Sequence, residues 1–562
     1  MRGQIDAVFD PRFSAATRAA NLESLRDDSA DLLVIGGGVT GAGVARDAAM
    51  RGLKTVLVDA GDFAWGTSSR SSHLIHGGLR YLEHGWLRLV FEASRERRTL
   101  MRIAPHIVRP QAFVFPAHRG SRVTRFQISA AVWLYDILAL FRNVHAHRLL
   151  SRGAVMKIEP LLRERGLTGG ALYWDAMADD SRLTLATIRS AHRHGARCLN
   201  YVRVVGLDKA DGLVRGATIE DAVTGKRVVV RAHVVVNATG PWADSLRQID
   251  EPGAPPLLRP TKGAHIAVPQ RRIGNTGAVT LLSPVDGRVM FVLPWGEVSV
   301  VGTTDTDETV APDDVMATEQ DVIYLVRSAN AVFPNARLGL DDVIAAWAGL
   351  RPLLKDGGGS TAAVPREHRI IQSGSGLVTI AGGKLTTYRV MGAQVVDVVA
   401  KRLHKLDGRH VARRADSDRE PLPGGEVADL GALEGELVKE GVAKADARHL
   451  VATYGTEASA VANLMTKDRA LGSPLLPGGP WLRAEVVHQA RREMAMTVAD
   501  VMMRRTHIFH MRADQGLRAT PAVAQLLAEE LGWNEATMAS SQRFYAEEVA
   551  RMRSAFRPPE PT

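Results

Sequence analysis

The stretch DLLVIGGGVTGAGVARDAAMRGLKTVLVD, residues 31 to 59, decides the fold. Residues 31–36 are a short apolar run of the kind that forms a buried strand. Residues 39–52 carry helical spacing, and residues 54–59 form a second apolar run that ends in an acid. Strand, helix and strand in so short a span predict a βαβ unit. Its first turn, Gly36-Gly37-Gly38-Val39-Thr40-Gly41, is a GxGxxG. Gly36 permits the tight turn, Gly38 lets a pyrophosphate approach the backbone, and Gly41 lets the helix pack against the sheet. The helix N-terminus offers free N–H groups and a partial positive charge to phosphate. Asp59 closes the second strand where a carboxylate accepts from a ribose. A glycine loop without a ligand is the bland alternative, but it does not require the flanking strand, helix, strand and acid.

The motif alone does not separate FAD from NAD. Three features further along favour FAD. The Ser- and Gly-rich segment 61–80 contains Thr67, Ser68, Ser69, Gly77 and Gly78. A second apolar strand ends in Asn237-Ala238-Thr239-Gly240, and a third Gly turn, Ala381-Gly382-Gly383-Lys384, leads into a helix. A long flavin nucleotide threads several chain segments, so distant Gly turns converging on one cofactor are expected. The expected cofactor is FAD, held non-covalently.

The remaining sequence bounds the rest. A chain of 562 residues holds several units. The single cysteine, Cys198, excludes an internal disulfide and a CxxC motif, which suits a reducing compartment. MRGQIDAVFDPRF at the start shows no apolar signal segment. Net charge is +10 with a pI of about 9.8, but the excess is diffuse and does not form a nucleic-acid footprint. No metal-ligand pattern is present. The longest apolar run, residues 130–141, is interrupted by Asp136 and falls short of a membrane span.

Residues 1–30 read as a polar leader arm. Residues 31–405 read as an oxidoreductase domain of the α/β class. Its Rossmann-type cofactor part comprises about 31–93, 166–255 and 346–405, and an interleaved α+β cap comprises about 94–165 and 256–345. Within it, residues 85–165 read as largely helical, interrupted at Pro105, Pro110 and Pro116. Residues 406–425 read as a linker, 426–552 as an all-helical domain and 553–562 as a tail.

SSHLIHGGLRYLEHG (71–85), NATGPWAD (237–244), VGTTDT (301–306), GLRPLL (349–354) and GGKLTTYR (382–389) resemble, in order and spacing, the FAD-dependent glycerol-3-phosphate dehydrogenases. The resemblance implies the D-amino-acid-oxidase type of fold. It also implies oxidation of sn-glycerol 3-phosphate to dihydroxyacetone phosphate, with the C2 hydride passing to flavin N5 and electrons to a membrane quinone. A glycerol-phosphate oxidase using oxygen, or an oxidase of D-amino acids or glycine, is the rival activity. A cytoplasmic enzyme, peripheral to the inner face of the cell membrane, with a homodimer as one option, is the implied setting.

A phosphomonoester calls for arginine. Arg351 in Gly-Leu-Arg-Pro and Arg80 after Gly77-Gly78-Leu79 match arginines the family places near substrate. Lys384, at a helix start where the dipole disfavours a cation, could face both flavin and phosphate. Thr304 and Asp305 follow a strand and could touch substrate or flavin. His76 is the candidate base for the C2 hydroxyl, with Tyr81 as a donor to the substrate oxygen; a packed, loop-orienting role for His76 stays open. The sequence departs from the family at His73, where lysine is common, which makes His73 a rival base. Asp59, where glutamate is common, keeps the same chemistry. Finally, Arg119, Arg122, Arg125, Arg142 and Arg148 flank WLYDILALF, which reads either as a face for an anionic membrane or as a core helix with solvated ends.

Overall fold

The two apolar runs at either side of the glycine turn pair in parallel, Ile35 opposite Val58. The computed structural model describes residues 13–355, 367–427 and 429–556, without the side chains of Arg80, Glu83 and His84. Strand Ala30–Ile35 lies inside a sheet ordered His368–Gln372, Val378–Gly382, Arg227–Asn237, Ala30–Ile35, Thr55–Val58, Arg197–Leu199. Its inner pairings are parallel, and strands Ala30–Ile35 and Thr55–Val58 are buried on both faces, as their continuous Val, Leu and Ile runs require. The hairpin Val202–Asp221 extends from Arg227–Asn237, joined to it by a turn with Gly225 at φ +69°.

Helix Val39–Met50 crosses the helix Tyr388–Asp407 at two glycines. A Cβ on Gly392 would stand 2.5 Å from the Gly43 carbonyl carbon. The two helices can therefore approach only where neither carries a side chain.

A second, ten-stranded sheet faces the first across the site. It includes Leu258–Pro269, Ala278–Leu282, Val289–Trp295 and Val298–Gly302. It also draws in strands Leu167–Ala178 and Ala345–Leu354, which the sequence reading grouped with the cofactor part. Strand Ala345–Leu354 pairs with Leu258–Pro269 along its whole length, so GLRPLL belongs to this wall. The largely helical reading of 85–165 also needs correction. Val108–His118 is a strand between Leu167–Ala178 and Ala278–Leu282. Pro110 and Pro116 interrupt no helix there; Phe113, Val114 and Phe115 are buried strand residues.

The leader segment is anchored where it is described. Helix Ala15–Ser24 is capped by Ser14, and Phe13 is buried. Arg18 donates to the carbonyls of Asn200 and Tyr201 and pairs with Asp221. Residues 1–12 lie outside the described residues, as does most of the expected tail; its start, Ala555 and Phe556, is buried. The polar stretch 409–425 has no regular structure, yet Arg46 fixes it by donating to the carbonyls of Ser417 and Glu420. Beyond it the chain is built of helices, among them Lys444–Tyr454, Arg483–Arg492, Thr520–Leu531 and Glu535–Arg553.

Candidate active site

A cavity of about 1190 Å³ runs between the two sheets. Its cofactor end is formed by the carboxyl ends of neighbouring parallel strands, where open α/β sheets bind ligands. Gly36 has φ +111°, and a Cβ on Gly41 would lie 1.8 Å from the Gly36 carbonyl oxygen. Gly41 therefore acts behind the wall, as the motif predicts, and does not line the cavity. Gly38 caps the helix Val39–Met50, and a Cβ there would meet only Ser68 Oγ, at 3.2 Å. Ser68 Oγ accepts from the Val39 N–H at 2.9 Å. A Cβ on Gly240 would meet nothing within 4 Å. Gly38 and Gly240 are thus cradle positions that a side chain would fill.

Asp59 accepts from the N–H of Gly37 (2.5 Å) and of Gly61 (2.9 Å). Burial pushes its carboxyl up to about 7 against the pull of those two donors. Asp59 lines the cavity, and a carboxylate has room for further donors such as a ribose diol. The residues present fit FAD: an elongated cavity, a glycine turn at a helix N-terminus and a buried acid one strand away.

The other end carries the candidate chemistry. His76 is half-buried on the wall, its backbone locked to Thr386 through two 3.2 Å hydrogen bonds. Its ring stacks on Tyr81 at 6.3 Å, and Lys384 Nζ stands 3.3 Å from the centre of the same tyrosine ring. Arg351 faces them from the second sheet. It donates to Asp305 Oδ1 (3.2 Å), Thr303 Oγ1 (3.0 Å) and the Thr304 carbonyl (3.1 Å). His76, Tyr81, Asp305, Arg351, Gly382, Gly383 and Lys384 therefore all line this one cavity, as do Thr67 and Ser68.

Other expected residues do not reach it. Thr304 is buried and turned away, its Oγ1 accepting from the Ala264 N–H at 2.8 Å; Thr303 takes its place on the wall. Ser69 points to the Gly66 carbonyl. Gly77 donates to Asp175 and packs where a Cβ would strike the Tyr135 hydroxyl at 2.3 Å. Gly78 supplies a turn at φ +83°. The two glycines shape the His76 loop from behind. The Arg80 side chain lies outside the described residues.

His73 is placed away from the cavity. It is 1% exposed, packs at a tilt against Trp295 with ring centres 4.3 Å apart, and has Nδ1 3.3 Å from Asp180. Burial lowers its pKa, but the Asp180 carboxylate outweighs this and the net shift is upward. His73 is thus a buried, ion-paired imidazole that does not line the cavity, whereas His76 does.

Three wall residues escaped the sequence reading. His265 bonds Ser72 Oγ at 2.8 Å and stacks on Trp347 at 5.4 Å. Burial, with Arg351 and His73 nearby, drives its imidazole well below the usual range, so it is neutral near pH 7. Asp175 gathers Gly77, Tyr135 and Arg97, tying the His76 loop to the helix Arg125–Leu138. Arg288 donates to the Asp305 carbonyl at 3.2 Å. The strand alternation in HIAVP gave the one usable signal, a histidine where an apolar residue fits. Among the described residues no group of His, Cys, Asp and Glu stands ready to share a metal ion.

A glycine-turn dinucleotide cradle facing an arginine, a lysine and an imidazole defines a flavoprotein oxidoreductase. Residues 31–389 match the family described as FAD dependent oxidoreductase, and residues 415–538 match the C-terminal domain of alpha-glycerophosphate oxidase. The chain is 36% identical to aerobic glycerol-3-phosphate dehydrogenase of Bacillus subtilis, covering 94% of this chain and 96% of that one. It is 37% identical to glycerol-3-phosphate dehydrogenase 2 of Mycobacterium tuberculosis, covering 96% and 90%. The crystal structure of glycerol-3-phosphate dehydrogenase from Bacillus halodurans complexed with FAD superposes with a TM-score of 0.81 at 32% identity, covering 97% of this chain and 99% of that one. The chain belongs to the FAD-dependent oxidoreductases, and within them to the glycerol-3-phosphate dehydrogenase family.

Proposed function

We propose that the chain oxidises sn-glycerol 3-phosphate to dihydroxyacetone phosphate. The observation that carries this reading is that Arg351, Lys384 and His76 line the same cavity as the dinucleotide cradle, Arg351 facing the other two from the second sheet. Arg351 presents a planar fork and Lys384 a point charge, and together they suit a phosphomonoester dianion. Thr303 and Asp305 hold the fork in one orientation. The His76 ring is held by its backbone bonds to Thr386 and its stacking on Tyr81. A fixed imidazole beside the substrate hydroxyl can take its proton. FAD, when bound, supplies the two-electron acceptor for the C2 hydride. Anaerobic addition of sn-glycerol 3-phosphate should bleach the flavin absorbance, while glycerol at equal concentration should leave it unchanged. Equal response to both overturns the phosphate clamp, and no response to either overturns the activity.

We further propose a membrane quinone as the electron acceptor, with the chain resting on an anionic bilayer. No described helix is long and apolar enough to cross a membrane. Helix Arg125–Leu138 has apolar residues on a buried side and on an exposed side. Ile128, Val132 and Tyr135 are buried, while Phe126 is 81% exposed and Trp133 and Ile137 are each 50% exposed. Arg119, Arg122, Arg125, Arg142 and Arg148 are exposed around this apolar face, the pattern of an interfacial helix. The cavity reaches the same helix through Ile128, Ala131 and Leu134. Phe126→Ser with Trp133→Ser should abolish flotation with phosphatidylglycerol vesicles and slow quinone reduction, leaving anaerobic flavin reduction intact. Undiminished flotation argues against this face.

A further inference from the structure

No described residue beyond Leu385 lines the cavity, yet the C-terminal helical region grips one of its walls from behind. The segment 59–65 carries Asp59, Ala60 and Trp65 on its cavity side. Its middle residue, Asp62, is 1% exposed and turned into the protein. Arg504 Nε donates to Asp62 Oδ2 at 2.8 Å, and Arg505 spans both oxygens at 2.7 and 3.1 Å. Asn200 completes the shell at 3.1 Å. Burial alone would raise the Asp62 pKa, but the two guanidinium groups hold it down to about 2, so it stays ionised.

The same two arginines are fixed in turn. Arg505 donates to the Glu493 carbonyl at 2.8 Å, and Arg504 pairs with Asp500 at 2.6 Å. Asp500 accepts from the Tyr201 hydroxyl at 2.6 Å. The Tyr201 N–H closes the circuit by donating to the Gly61 carbonyl at 2.8 Å, two residues from Asp59. The neighbouring Val202 N–H donates to the Asp59 carbonyl at 2.7 Å. A buried charge cluster of this kind is costly to desolvate, and its bonds are satisfied in a single geometry of the segment.

We propose that Arg504 and Arg505 are positioning residues for the cofactor: through Asp62 they hold the Asp59–Trp65 wall in the conformation that retains FAD. The inference concerns retention alone and does not depend on the substrate. The C-terminal region then acts as an external brace on a site to which it contributes no wall.

Holoenzyme variants test this by the dissociation constant of FAD, read from the fluorescence of released flavin on dilution, with the melting temperature measured alongside. Arg505→Lys keeps the charge and loses the fork; it should weaken FAD retention by about tenfold or more, the scale of a lost charge-assisted bond. Tyr201→Phe removes one bond from the circuit and should weaken retention by several-fold, on the order of one neutral hydrogen bond. Glu457→Gln breaks a different buried contact of the C-terminal region, the Arg189 pair, away from the segment. It should lower the melting temperature while leaving FAD affinity unchanged. Parental affinity in both Arg505→Lys and Tyr201→Phe overturns the proposal. So does an equal loss of FAD in Glu457→Gln, because docking in general would then suffice. If Arg505→Lys fails to fold, Tyr201→Phe against Glu457→Gln decides.

Discussion

The two ends of the cavity are assembled by different means. At the cofactor end, Gly36, Asp59, Ala238 and Gly382 stand at the carboxyl ends of adjacent strands in one sheet. At the substrate end, His76 comes from a loop, Arg351 from a strand of the second sheet and Lys384 from a helix start, and each is oriented by residues remote in the chain. The first end is fixed by backbone geometry, the second by side-chain partnerships. Damage should therefore spread differently: loss of fold or cofactor at one end, loss of rate or affinity at the other.

The largest contrast should come from two glycines of one turn. Gly41→Val forces carbon against the Gly36 carbonyl, 1.8 Å from an ideal Cβ, and should cost on the order of 4 kcal/mol or more, leaving little soluble holoprotein. Gly38→Val meets only the Ser68 hydroxyl, 3.2 Å from an ideal Cβ, and should give a folded protein that purifies without FAD. Thermal melts and the flavin-to-protein absorbance ratio distinguish the two. Stoichiometric flavin in Gly38→Val would remove the cradle assignment.

Next in size is the base. His76→Asn should slow anaerobic flavin reduction by ~10²–10⁴-fold and abolish the acid limb of its pH profile, with little change in binding. His265→Asn should not remove a limb in the ordinary imidazole range, because His265 titrates well below it. A limb that survives His76→Asn would leave His76 with loop orientation only.

Arg351→Ala should raise the Michaelis constant for glycerol 3-phosphate by roughly ten- to a hundredfold, the scale of a lost charge-assisted contact. FAD content should be retained, since Arg351 sits on the second sheet. Steady-state kinetics with parallel flavin quantitation would show whether the two ends are separable in this way.

The smallest effect concerns His73. Its folded pKa is raised, so the His73–Asp180 pair adds stability that is fully present below the unfolded value of about 6.5 and is lost as pH rises through the folded pKa. Melting temperatures across pH should therefore fall more for the parent than for His73→Asn over that window. The pH profile of flavin reduction should be the same in both. A changed reduction profile would return His73 to the active site.

Local pattern made much of this legible. The turn Gly36–Gly41 and the acid Asp59 could be read because a βαβ unit is contiguous and its glycines answer to backbone sterics. Strand Val108–His118 was not legible in the same way. Pro110 and Pro116 suggest breaks in a helix, and only the pairing with Leu167–Ala178 and Ala278–Leu282 shows a sheet. The brace on Asp62 was equally hidden, because Arg504 is 442 residues away and looks like any surface arginine.

By itself, the sequence determined the cofactor class, the parallel sheet that presents it and the residue types at the chemical end. Tertiary structure decided which of those residues face the cavity. Thr303 does and Thr304 does not, because Thr304 is consumed by its bonds to Ala264 on the neighbouring strand. His76 does and His73 does not, because His73 is turned inward beside Asp180 and Trp295. Composition and spacing fix what a segment can form, but the direction of a side chain in a loop or at a strand end depends on partners that only the folded chain brings within reach.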